Sequence, residues 1–441
     1  MDNREDRSQI EGSEMHSSCG NALYELASRL FPICRSLTGE GVRETLSIIS
    51  EHLPLKVHTI PTGTQLFDWQ APHEWSIREA YIVDATGRHI VDFAQHNLHV
   101  VNFSLPVHTK LTLGELKEHI HTLPDQPDLI PYRTCYHTEA WGFCMAHNTL
   151  IQMQEQTYEV VINAERRDGS LIFGEFIHQG ETDETFLVST HLCHPSLAND
   201  NCSGIAVLTL LGEVLKSRKT RFTYRLLFGP ATFGALAWLK QNEENLDLVK
   251  HGIVLSCVGD GGGPNYKRSR RGNSDIDRIM TQVLKESYFS DAKVHDFWPY
   301  GYDERQFCSP GFNLPVGLFQ RSLYGEFPEY HTSADNLDFI KPEYLEQSFN
   351  IIIQAVEIVE RNWTPMNMSP KGEPQLGRRG LYGHIGGDRN AAENVMAMLW
   401  VLNLADGDHS ILDMAERAGL PFSQLADAAE HLRDVGLLKV L

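Results

Sequence analysis

Thr190-His-Leu-Cys-His-Pro-Ser-Leu-Ala-Asn-Asp-Asn-Cys-Ser-Gly204 is the stretch on which the reading of this chain turns. It follows an apolar run, Phe186-Leu-Val-Ser-Thr190, of the kind that forms a buried strand, and it precedes Ile205 to Leu215, a helical pattern that can cover a sheet. The strand therefore ends in His191 and His194, and Asp200 follows in a short loop before a Ser-Gly that can open the helix. Imidazole nitrogen with carboxylate oxygen is the donor mix that Zn²⁺ takes in catalytic sites, where one position stays free for water. The plainer alternative is that the histidines finish a strand and that Asp200 or Ser203 caps a helix. The density of the group at one strand end favours the metal site.

Outward from this stretch, Thr223-Tyr-Arg-Leu-Leu-Phe228, Ile253-Val-Leu-Ser256 and Leu314-Pro-Val-Gly-Leu-Phe319 repeat the buried-strand pattern. Strands alternating with helices predict an α/β fold, a mostly parallel sheet flanked by helices, in which ligands bind beyond the carboxyl ends of the strands. Glu329-Tyr-His-Thr-Ser-Ala-Asp-Asn336 lies beyond the last of these strands, which places His331 where such a sheet presents ligands. Tyr344 to Arg361 has helical apolar spacing and closes the domain.

Asn21 to Leu53 carries two helical blocks. From residue 61 to 150, short apolar runs among Pro, Asp and His describe an inserted, mainly β domain, which leaves 21–60 and 151–365 as the catalytic domain. Asn362 to Gly377 has the Pro, Gly and polar composition of a linker. Residues 371–441 then combine Ser410-Ile-Leu-Asp413 as a capping box, a helix from Ser423 to Val435 and a last strand from Gly436, the pattern of a small winged-helix domain. Residues 1–20 lack the basic start and apolar run of a secretory signal and read as a mobile tail.

A chain of 441 residues, 41% hydrophobic and 22% charged, can build two or three cores. Its net charge of −20 argues against a main task of gripping nucleic acid or an anionic membrane, since both need basic surface. Residues 371–441 hold 7 Lys/Arg against 10 Asp/Glu, so the terminal domain is expected to contact protein, as in a homo-oligomer, rather than nucleic acid. No stretch approaches the roughly 20 apolar residues of a membrane span, so no membrane partner is expected. Eight cysteines without paired short spacings read as reduced thiols of a cytoplasmic protein.

The order of the two histidine motifs resembles the co-catalytic zinc aminopeptidase superfamily. A closer resemblance is to a bacterial branch of aminopeptidase-like proteins with an inserted β domain and a C-terminal winged-helix domain. That likeness rests on Phe67-Asp-Trp-Gln-Ala-Pro-His-Glu-Trp75, Cys193-His-Pro-Ser196, Asp303-Glu-Arg-Gln-Phe-Cys-Ser-Pro310 and Tyr330-His-Thr-Ser-Ala-Asp335, and it spans residues 21 to 441. The resemblance implies Asp200 as the metal-bridging carboxylate and His331 as the late ligand. It leaves His191 and His194 as alternatives for the early ligand, with His194 slightly ahead, and offers Asp260 as the mid-domain carboxylate.

One departure stands out. In Pro230-Ala-Thr-Phe-Gly234, Ala231 and Thr232 occupy the place where well-known aminopeptidases carry two consecutive glutamates, a general base and a metal ligand. One Zn²⁺ is therefore expected, with two as the alternative. The base must come from elsewhere, and Asp303-Glu304-Arg305 can move a proton and read substrate charge together. The closer branch's motif puts Glu304 first, Asp303 behind it and Arg305 beside them. Trp69, Glu74, Glu329 and Tyr330 are the candidate substrate contacts. Lys267-Arg-Ser-Arg-Arg271 reads as a solvated face or a grip for an anion.

The implied activity is hydrolysis of an amide or peptide bond next to a free amino group, on a small molecule or peptide. A sugar, nucleoside or secondary metabolite can be the carrier. The competing reading is a degenerate site in a binding or assembly protein that works through its winged helix.

Overall fold

A computed structural model describes residues 19–381 and 389–440. The tail expected at 1–20 lies outside the described residues as far as residue 18; residues 19 and 20 already belong to a helix that runs to residue 30. The chain divides into two compact units, Met1–Asp277 with Ser290–Asn350, and Arg278–Phe289 with Ile351–Leu441.

The larger unit is built on an eight-stranded sheet. Its strands are β1 (Lys56–Pro61), β2 (Ser170–His178), β3 (Thr185–His191), β4 (Thr223–Gly229), β5 (Val249–Leu255), β6 (Asn265–Lys267), β7 (Lys293–His295) and β8 (Val316–Gln320). They lie in the order β1-β2-β4-β3-β5-β8-β6-β7. The centre, β4-β3-β5-β8, is parallel. Every residue of β3 and β8 is buried, which is why these strands read as unbroken apolar runs. The flanks are less regular: β1 and β2 run antiparallel to their neighbours and β6 runs antiparallel to β8, so the sheet is mixed.

Two helices cover the sheet beside the predicted ligand stretch, α1 (Gly204–Lys216) and α2 (Phe233–Asn242). The start of α2 presses onto the end of β4. A Cβ on Gly229 would stand 3.0 Å from the Gly234 Cα, so only glycine at these two places lets strand and helix meet so closely. A short helix, α3 (Glu304–Phe307), and a long one, α4 (Pro342–Arg361), follow.

The insert forms a separate antiparallel sheet of four strands, in the order His89–Asp92, Glu74–Val83, Thr157–Arg167, Val107–Thr112. Its own core contains Ile82, Leu116, Phe143, Val160 and Ile162. The sheet passes the expected boundary at residue 150, because Thr157–Arg167 is its central strand and pairs on both sides. That pairing joins residues about eighty positions apart, which no local pattern reports.

Glu74 belongs to this framework. Arg43 Nη2 donates to Glu74 Oε2 at 2.5 Å, Arg167 Nη2 donates to Oε1 at 3.3 Å and the Ser170 amide donates to Oε2 at 3.3 Å. Although burial opposes ionisation, the Arg43 guanidinium holds the carboxyl below its ordinary pKa. The substrate contact expected of Glu74 is therefore replaced by a structural role. Glu74→Ala should cost about 1–3 kcal/mol of stability, since it strands two guanidinium partners, and should leave metal content unchanged. Urea titration and metal analysis of the same preparation check both halves.

The smaller unit pairs Pro365–Asn367 with Leu438–Val440 as an antiparallel ribbon beside the helices Arg389–Leu404, Ile411–Ala418 and Phe422–Asp434. The capping box is present: the Asp413 amide donates to Ser410 Oγ at 3.2 Å and the Ser410 amide donates to Asp413 Oδ2 at 2.7 Å. Residues 365–367, read as linker, are thus part of the domain. Among the described residues no helix is long and apolar enough to cross a membrane.

Candidate metal centre

The loop after β3 is held by a network of buried polar groups that is almost entirely side chain to backbone. Asp335 accepts the Asn199 amide on Oδ1 at 2.6 Å and the Asp200 amide on Oδ2 at 3.0 Å. Asn201 Nδ2 donates to Thr190 Oγ1 at 2.7 Å and to the His191 carbonyl at 2.9 Å, tying the loop back to its strand. Asn199 receives the Gly259 amide on Oδ1 at 2.8 Å. These contacts fix the backbone on either side of Asp200 and leave its side chain to the histidines.

Asp200 is completely buried, and its two oxygens face different rings. His191 Nε2 lies 2.9 Å from Oδ1, and His194 Nδ1 lies 3.4 Å from the same oxygen. His331 Nε2 lies 3.0 Å from Oδ2. Among the described residues, the group of His, Cys, Asp and Glu near enough to share one cation is His191, His194 and Asp200, whose donor atoms fall within 4.8 Å of one another. The structure thus brings both early histidines to one carboxylate oxygen where the resemblance implies a single ligand. His331 approaches from the other side, with a backbone φ of 55° in the left-handed region.

Electrostatics suit a cation. Burial opposes the charge on Asp200, but His194, His191 and His331 prevail and hold its pKa well below the ordinary value. Burial also lowers the pKa values of His194 and His331, against the pull of Asp200, so neutral rings keep a lone pair for ligation. A buried carboxylate ringed by imidazoles, two of them with lowered pKa values, suits a compensating cation, and this N/O donor set is the one zinc accepts.

Around the centre stand Tyr330, a candidate contact from the sequence, and other residues that the sequence did not single out. Tyr132, from the insert, sets its ring edge against His194 and His331, each at 5.1 Å, and its hydroxyl lies 2.9 Å from that of Tyr136. Tyr302 stacks on His191 at 5.1 Å, and Tyr330 stacks on His331 at 4.0 Å. Arg35 is fully buried: its Nε donates to the His194 carbonyl at 3.0 Å and its Nη1 to the Leu30 carbonyl at 2.6 Å. Asp335 had a visible signal, as the last residue of the Tyr330 motif. Arg35 and Tyr132 had none, because the histidines they meet lie between about sixty and two hundred residues away.

The remaining candidates part company. Asp260 is not drawn into the centre: Asn199 Nδ2 donates to its Oδ2 at 2.7 Å, while the Gly262 amide and Ser322 Oγ donate to Oδ1 at 2.7 and 2.6 Å. Glu304 is fully buried and ion-paired with equally buried Lys267 at 2.5 Å, which corrects both the leading base and the solvated reading of Lys267. Asp303 is also buried, with no hydrogen-bond partner for Oδ1 among the described residues, and Glu304 Oε2 likewise has none. Burial and the neighbouring Glu304 push its pKa up to about 8, although Arg305 pulls it down.

At the end of β4, the Ala231 carbonyl faces Cys193 Sγ at 4.0 Å. Glu329 contributes its carbonyl, which accepts Thr332 Oγ1 at 2.8 Å. Trp69 meets Phe233 edge-on at 5.4 Å and lines a cavity of about 730 Å³ with Phe103, Tyr136, His137 and Arg166.

Residues 24–362 match the family described as a domain of unknown function, DUF4910. The chain belongs to this family. Residues 363–440 match the winged helix-turn-helix family. A Clostridium acetobutylicum protein, named provisionally for polysaccharide biosynthesis and for an aminopeptidase-like domain, is 46% identical over 96% of this chain and 98% of its own length. The crystal structure of a provisionally assigned peptidase from the same organism has a TM-score of 0.93 at 44% identity, covering 99% of this chain and all of the other. The zinc aminopeptidase of Bacillus subtilis shares the fold with a TM-score of 0.57 at 15% identity, over 77% of this chain and 95% of its own. The DUF4910 chain thus has a zinc-aminopeptidase-like catalytic fold and a C-terminal winged helix.

Proposed function

We propose that this chain is a metal-dependent hydrolase that cleaves an amide next to a free amino group. One observation carries the reading: a buried aspartate at the carboxyl end of a parallel sheet holds His191 and His194 on one oxygen and His331 on the other. Held by His191, His194 and Asp200, with His331 against the other carboxylate oxygen, a divalent zinc-type cation would supply Lewis acidity toward a carbonyl group.

The chain's own residues account for the rest. Asp335, Asn199 and Asn201 keep the loop rigid, and Arg35 fixes the His194 backbone, so the donors are in place before any ligand arrives. Tyr132, Tyr302 and Tyr330 wall the histidines with rings that exclude water. Proton transfer falls to Asp303, a buried carboxyl with an unpartnered oxygen, on the turn directly after the ring that stacks on His191. A pKa near 8 suits a group that must both take and return a proton at neutral pH.

With Asp260 engaged elsewhere and Ala231 and Thr232 unable to ligate as carboxylates, a single zinc equivalent is the favoured stoichiometry. The name of the Clostridium relative, which mentions polysaccharide biosynthesis, supports a sugar as the carrier. We further place the protein in the cytoplasm as a homo-oligomer assembled through its winged helix.

Metal analysis of the purified protein, joined to a turnover screen of aminoacyl amides and aminoacyl sugars, tests the proposal. Zinc near one equivalent with turnover of at least one compound supports it; a metal-free protein inert toward all of them removes it. The second reading, an inert centre in an assembly protein, draws on the missing glutamates at Ala231 and Thr232 and would then take its place.

A further inference from the structure

Arg305 lies on α3, three residues after the ring that stacks on His191. Tyr302 meets Tyr324 edge-on at 5.5 Å, Tyr324 meets Tyr300 at 5.4 Å, and the guanidinium carbon of Arg305 sits 5.7 Å from the centre of the Tyr300 ring. An aromatic path thus leads from the metal centre to an open edge, where Tyr300 is 64% exposed. Arg305 itself is half-buried, and among the described residues nothing accepts a hydrogen bond from its buried Nε.

The acids beside Arg305 do not neutralise it. Glu304 is ion-paired with Lys267 through Oε1, and Lys267 also donates to the Tyr300 carbonyl at 2.9 Å and the Trp298 carbonyl at 3.2 Å, so the Glu304 charge is balanced by Lys267. Asp303 keeps its proton at pH 7, because burial has pushed it up to about 8. One positive charge is therefore left over at the outer end of this aromatic path, in a chain of net charge −20. A guanidinium presents a planar fork that matches the paired oxygens of a carboxylate or phosphate, and Arg305, only half-buried, can offer the outer part of that fork.

We propose that Arg305, framed by Tyr300, is a binding site for an anionic oxygen group, phosphate or carboxylate, on the molecule that enters the metal centre. The word substrate here rests on the hydrolase reading, whereas the anion contact needs no metal. The site selects an acidic conjugate, such as a phosphorylated or carboxylated acyl-amino compound, over a neutral peptide. A free anion of the same chemistry would be bound by the same fork.

The test is calorimetry on chelator-treated protein with three probes of similar size, phenyl phosphate, benzoate and uncharged benzamide. Expected are binding of at least one anion, none of benzamide at the same concentrations, and weakening by added KCl. Arg305→Met should weaken anion binding about tenfold or more, and Arg268→Met, which removes an arginine paired with Asp296, should not change it. The tighter of the two anions tells phosphate from carboxylate. Should Arg305→Met fail to fold, Arg305→Gln keeps donors without the charge and should show the same loss.

Undiminished binding in the folded variant, benzamide binding as tight as the anions, or no anion binding at millimolar concentration overturns the proposal. A parent protein that holds no zinc yet binds the anions through Arg305 would remove the hydrolase reading and leave this one standing.

Discussion

Asp200→Asn should strip the centre of its metal and, with it, essentially all hydrolysis. The aspartate is the one residue that touches all three histidines, through Oδ1 to His191 and His194 and through Oδ2 to His331. Asparagine keeps the shape and the backbone contacts to Asp335 but removes the negative charge and turns one oxygen into a donor, which cannot ligate a cation. Its neutral neighbours then lose the only anion in the cluster. His331→Ala should lower bound zinc less, because the other three donors remain.

His191→Ala and His194→Ala separate the two early histidines. The ring whose loss releases metal is a ligand, and a ring whose loss only loosens binding positions the other. Zinc per chain, measured on matched preparations with circular dichroism as the control for folding, checks the series. Equal zinc in the parent, Asp200→Asn and His331→Ala would remove this centre as the metal site.

The second large effect is expected at Asp303. Asp303→Asn should keep the metal and the fold while lowering turnover by about 10² to 10⁴, the contribution of a positioned acid or base. Glu304→Gln should act differently. It leaves Lys267 buried without its counter-ion, so its main consequence is destabilisation, of about 3–5 kcal/mol if the pair behaves like other buried ion pairs.

The pH dependence gives Asp303 a signature that a structural residue lacks. Its pKa is near 8 in the folded chain against 3.8 ordinarily, so between about pH 4 and pH 8 the folded state holds a proton that the unfolded state has released. Stability falls with rising pH across that window. Asp303→Asn removes this term and should become progressively more stable than the parent from pH 4 to pH 8. In the parent, kcat/KM should rise toward a plateau above about pH 8 as the carboxylate forms. A variant that is as fast as the parent, or no more stable at pH 8 than at pH 4 relative to it, would dismiss Asp303 as the proton carrier.

Local patterns carried much of this architecture. The apolar runs at 186–190, 223–228, 253–256 and 314–319 appear as the four parallel strands at the centre of the sheet, because a strand buried on both faces must be apolar throughout. The capping box at Ser410 and Asp413 appears as read, since capping depends on residues three apart. The histidines and Asp200 were legible for a similar reason: one short loop after one strand supplies three of the four donors. His331 was legible from its place beyond the last strand, and the winged helix from its capping box, helix and final strand; the family resemblance agreed with both.

Tertiary structure alone decided what depends on distant partners. It set Thr157–Arg167 at the middle of the inserted sheet, tied Asp260 to Asn199 and Ser322, paired Glu304 with Lys267, and brought Arg35 and Tyr132 against His194 and His331. A carboxylate's role follows from the charge and solvent around it, and these are fixed only when chain segments tens to hundreds of residues apart come together. In Asp303-Glu304-Arg305 the sequence shows three adjacent charged residues, while folding leaves one ion-paired, one with a raised pKa and one whose Nε has no partner among the described residues, because each side chain meets a different environment.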